Sequence, residues 1–72
     1  MEDILEEILT LVKKKMQEQG AFEREAYKHL VTETIDYFLE KGKLTDDDNL
    51  EFIENRLMGM FEIVRDGFSE ED

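Results

Sequence analysis

Apolar residues return every three or four positions along most of the chain, in three blocks. In the first block Ile4, Leu5, Ile8, Leu9, Leu11, Val12 and Met16 share one face at ~100° per residue. Glu6, Glu7, Thr10, Lys13, Lys14, Gln17 and Glu18 share the opposite face. The spacing predicts a helix over about 3–19. Asp3 followed by Glu6 resembles an N-cap with its reciprocal acid. Lys13-Lys14-Lys15 falls late in the block, where cations complement the helix dipole, so a solvated final turn accounts for it without a phosphate site. Gly20 takes the position just past the helix, where glycine adopts a left-handed conformation without strain.

The second block predicts a helix over about 22–41, ended by Gly42. Ala26, Tyr27, Leu30, Val31, Ile35, Tyr37, Phe38 and Leu39 cover about half of its circumference. Glu25, His29, Thr32, Glu33, Asp36 and Glu40 form the wet face. The two tyrosines lie near the edges of the apolar arc, where a ring is buried while its hydroxyl stays in water.

Thr45 followed by Asp46, Asp47 and Asp48 reads as a helix start, a hydroxyl cap with three acids in the first turn. A third helix over about 46–68 follows. Its stripe of Leu50, Ile53, Leu57, Met60 and Val64 is widened by Phe61 and Phe68 on one side. On the other side lie Phe52, Gly59 and Ile63, with Arg56 between that sector and the stripe. The combined arc is roughly 200°, against the wider-than-100° stripe a helix needs for its own core. Gly59 in mid-helix costs about 1 kcal/mol relative to alanine. Close approach of another chain would offset that cost, so Phe52, Gly59, Met60 and Ile63 are the expected interface of a homodimer.

Proline is absent and no stretch alternates as a half-buried strand would. Connectors of a few residues place successive helices antiparallel. The expected fold is therefore all-α, a three-helix up-down-up bundle assembling as a helical homodimer. Residues 1–68 form one helical domain and 69–72 an acidic tail.

Length and composition support association. A chain of 72 residues buries only about 60% of its unfolded surface, and small domains commonly add disulfides, a metal or oligomerisation. With no cysteine, disulfides and thiolate metal sites are excluded. The net charge of −11 is concentrated late, with ten acids against three bases in residues 43–72. Such a field repels phosphate and anionic lipid, so neither nucleic acid nor membrane is an expected partner. Residues 1–12 are too acidic for a signal-peptide n-region, and no run approaches the roughly 20 apolar residues that span a bilayer. The expected location is the cytoplasm.

Candidate chemistry is sparse. Glu25, His29 and Glu33 share a face, and Asp36 lies seven residues beyond the histidine. One helix alone does not close a coordination shell, and the Glu-x-x-His spacing of di-iron bundles is missing. Counted from Asp46 as an EF-hand loop, the fifth and sixth positions are Leu50 and Glu51, where an acid and a glycine are required. Ser69 is the only serine, and His29 has no hydroxyl partner for nucleophilic work. A helix-turn-helix would present Asp46, Asp47 and Asp48 to phosphates, which repels DNA. No cofactor, metal or catalysis is expected. The leading reading is a small acidic, non-enzymatic protein-interaction module that pairs with itself and binds another protein. The alternatives are an acidic DNA mimic that inhibits a basic protein and, less favoured, a metal- or small-ligand-binding bundle using the Glu25, His29, Glu33 face.

Overall fold

The structure, a computed structural model, describes residues 2–69, with side chains from 4 to 68. Among these residues it contains four helices and no strand: α1 (Glu2–Gln19), α2 (Arg24–Glu40), α3 (Leu50–Gly59) and α4 (Phe61–Ser69). The all-α expectation holds. The single third helix does not, because a break at Met60 divides it. Residues 70–72 of the expected acidic tail lie outside the described residues.

α1 starts at Glu2, so Asp3 lies inside the helix instead of capping it; its side chain is outside the described part. The last turn of α1 carries no basic residue, since the helix runs on through Gln19 and leaves Lys13-Lys14-Lys15 about a turn earlier. A dipole that acts within the last turn does not account for those lysines. Both predicted glycine stops are present. Gly20 has φ 64° and Gly42 has φ 76°. Ala21 N–H donates to Met16 O at 3.0 Å past the first. Around the second, Lys43 N–H donates to Phe38 O at 2.9 Å and Gly42 N–H to Leu39 O at 3.1 Å. These are the paired bonds of a Schellman ending, and they satisfy carbonyls the helix leaves open.

α2 begins at Arg24, two residues later than the periodicity suggested, behind an extended Glu23. Phe22 is thereby freed from the helix, and its ring packs on Phe68 with centroids 5.2 Å apart. The third leg also starts late. Thr45–Asp48 closes into a turn of its own: Thr45 N–H donates to Asp48 Oδ2 at 2.9 Å, and Asp47 N–H to Thr45 Oγ1 at 3.3 Å. The helix itself starts four residues on, where Asn49 Oδ1 accepts from Phe52 N–H at 3.0 Å. Asn49, not Thr45, is the helix cap.

Successive legs run antiparallel. Lys43, after α2, reaches Glu7 near the start of α1 at 3.1 Å, and its ammonium sits 5.5 Å from the centre of the Phe38 ring. Tyr27, near the start of α2, meets Leu57 near the end of α3. One core runs through all four helices. Ile8, Val12 and Met16 come from α1, Tyr27, Leu30, Val31, Ile35 and Phe38 from α2. Ile53 and Leu57 come from α3, Phe61 and Val64 from α4, and Leu44 closes it from the connector. Besides the Tyr27 phenol, the core holds one aliphatic hydroxyl. Thr34 is fully buried and donates to Leu30 O one turn back at 2.8 Å, so the hydroxyl is satisfied without water.

Candidate interaction surface

The geometry of the exposed apolar surface is set by the break at Met60. In a continuous helix the Leu57 carbonyl would accept from the amide four residues on. Here Met60 N–H donates to it at 3.1 Å, a tightened turn of the i→i+3 kind. The second lone pair is taken by the phenol of Tyr27, whose oxygen lies 2.5 Å from Leu57 O. The Tyr27 ring packs on Phe61, the first residue of α4, with centroids 5.0 Å apart. One α2 side chain thus binds the last turn of α3 and the first of α4. The expectation that Tyr27 keeps its hydroxyl in water is overturned: the residue is fully buried, and burial raises its pKa from 10.0 to about 12. Tyr37 does stay half exposed, with Lys41 Nζ 5.6 Å from the centre of its ring.

With the leg broken, the four residues predicted as an interface divide into two pairs. Phe52 and Gly59 belong to α3. Phe52 is 47% exposed, and a Cβ at Gly59 would meet no atom of the chain within 4 Å. Among the described residues nothing beyond its own helix and chain neighbours approaches that glycine. Arg56 lies between these two on the α3 surface and is exposed.

Met60 and Ile63 instead line a groove of about 250 Å³ between α1 and α4. Its α1 wall is Leu9 and Lys13; Val64, Gly67 and Phe68 complete the α4 wall. Ile63 is the most exposed large apolar side chain of the described residues, at 71%. Gly67 leaves the wall low, since a Cβ there would also meet nothing within 4 Å. Sequence periodicity places Leu9, Val64 and Phe68 on apolar stripes. Only the docking of a displaced α4 on α1 shows that part of each stripe faces a gap. A wider depression between α1 and α2 is lined by Glu6, Glu7, Thr10 and Lys14 with Leu11 and Phe38; four of these six residues are charged or polar.

The polar clusters singled out by sequence sit apart from this surface. His29 Nε2 lies 3.1 Å from Glu33 on a well-exposed face of α2. Among the described residues no group of three or more acids and histidines is placed to hold a metal ion. Asp48, which entered the calcium comparison, is instead bonded to Thr45. No described helix is long and apolar enough to cross a membrane.

Fold and surface together define a small acidic helical protein with an exposed apolar face and an apolar groove. The chain matches no family model, no curated protein and no solved structure.

Proposed function

We propose that the chain is a non-enzymatic protein-interaction module that works as a homodimer and binds another protein. The observation that carries this reading is apolar area left open beside a complete core, with Phe52 47% and Ile63 71% exposed. Full burial of such a side chain is worth about 1.5–3 kcal/mol. Phe52 is already half covered, so pairing returns about half of that range at this position.

Self-association is assigned to the α3 face of Phe52 and Gly59. Arg56 gives that face a cation in a chain of net charge −11, and the open space at Gly59 admits a second backbone. Sedimentation equilibrium at micromolar concentration tests it. The expected mass is twice the 8.6 kDa of the chain, and Phe52→Glu returns the single mass with an unchanged helical circular-dichroism spectrum. A single mass for the unmodified chain over that range would remove the dimer.

A further inference from the structure

We propose that the groove between α1 and α4 receives the apolar face of a basic helix from another protein. This deepens the interaction-module reading by naming the partner chemistry, and it does not depend on the dimer. Two properties of the groove point to that occupant. The first is its lining. Leu9, Met60, Val64 and Phe68 are apolar, and the low wall at Gly67 leaves room beside the projecting Ile63. An engineered cavity of about 150 Å³ holds a benzene ring. The groove, at about 250 Å³, therefore has room for one large apolar anchor and part of a neighbour. An amphipathic helix presents anchors at i, i+3 and i+4 to a depression of this kind.

The second property is charge. Asp66 is exposed on α4 one turn after Ile63, and Glu6 is exposed one turn before Leu9 on α1. Lys13 is the single cation of the lining. Two carboxylates against one ammonium, in a chain of net charge −11, attract a helix whose apolar face is flanked by lysine or arginine. The same field opposes a second copy seated here, because that copy brings its own −11 to the acidic rim. The α3 face, with Arg56, is the less acidic site for self-pairing.

The test is calorimetric titration of the full chain with a synthetic Leu/Lys peptide about four helical turns long, patterned to be amphipathic. A scrambled peptide of the same composition serves as control. The amphipathic peptide is expected to bind at least about ten-fold more tightly than the scramble. Ile63→Asn, at an exposed position, should weaken binding about ten-fold without shifting the thermal melt. The double change Glu6→Gln with Asp66→Asn should weaken binding and flatten its salt dependence. Methyl resonances of Leu9 and Val64 should shift during titration of the unmodified chain, a readout that needs no variant. Equal binding of the scramble, unchanged affinity in Ile63→Asn, or unmoved Leu9 and Val64 methyls would overturn the assignment. So would dissociation of the self-associated form by the peptide, which would give the groove to a second copy. A single mass with intact peptide binding removes the dimer and leaves the groove; a double mass without peptide binding does the reverse.

Discussion

Tyr27 is the residue on which the third leg turns. Its phenol occupies the Leu57 carbonyl and its ring covers Phe61, so it holds the segments on either side of Met60. Tyr27→Phe keeps the ring and removes the bond. The Leu57 carbonyl still accepts from Met60 N–H, so the expected loss is about 0.5–1.5 kcal/mol in urea unfolding, not the larger cost of an orphaned group. The ionisation behaves accordingly. With the folded pKa raised from 10.0 to about 12, stability does not depend on this group below pH 10. Between 10 and about 12 the unfolded chain loses the proton while the folded chain keeps it, so stability falls with rising pH. Phenolate absorbance in a Tyr37→Phe background should show Tyr27 titrating near 12, and the alkaline drop in stability should shrink when Tyr27 is phenylalanine. None of this was visible in the pattern of α2. An apolar arc places a tyrosine at its edge, but the acceptor for its hydroxyl lies 30 residues away in sequence. Thr34 was hidden in a related way: a polar residue is buried because its own helix supplies the acceptor.

At the scale of elements, α1 and α2 were legible because each carries an uninterrupted period and a glycine whose positive φ ends it. The third leg was not, for two local reasons. Thr45 and Asp48 form a closed turn with their own reciprocal bonds, and Asn49 then starts the helix afresh. Asn49→Ala should therefore cost about 1 kcal/mol in denaturant unfolding, with Thr45→Ala costing less; the reverse order would restore the earlier helix start. Near the other end of α3, Gly59 weakens the helix next to the break while the apolar stripe runs on unbroken through Phe61 and Val64. Periodicity therefore reads one helix where there are two. Gly59 does not have positive φ, and among the described residues a Cβ there meets nothing within 4 Å beyond its own helix. Gly59→Ala is expected to stabilise the monomer by up to about 1 kcal/mol. In the dimer the added methyl enters the approach of the second chain, so the same change should weaken self-association in sedimentation. A gain in both stability and dimer affinity would take Gly59 off the interface. Of the site, Phe52 and Ile63 were legible as surplus apolar area. Their division between the α3 face and the groove was not, because it follows from the displaced α4.

Across the whole molecule, charge decides how the fold responds to its medium. The chain carries 20 acids against nine lysines and arginines. Two close contacts between basic and acidic side chains occur among the described residues, Lys43 with Glu7 and His29 with Glu33, the second an ion pair only when the imidazole is protonated, and both are well exposed. Exposed pairs contribute about 0–1 kcal/mol each. Screening weakens them, but it also weakens the mutual repulsion of a net −11 spread over a small surface. Repulsion is the larger effect, because it sums over every acid in excess while the pairs number two among the described residues. Raising sodium chloride from about 0.02 to 0.5 M shortens the Debye length from roughly 20 to 4 Å, below the spacing of most surface charges. The urea midpoint should rise over that interval, and the fraction of dimer should rise with it, since two acidic copies then approach at lower cost. Binding of a basic helix in the groove should move the other way and weaken with salt. Opposite salt responses for self-pairing and partner binding are the whole-molecule signature of two separate surfaces. Parallel responses would mean that both events share one charge environment, and that the α3 face and the groove are a single site.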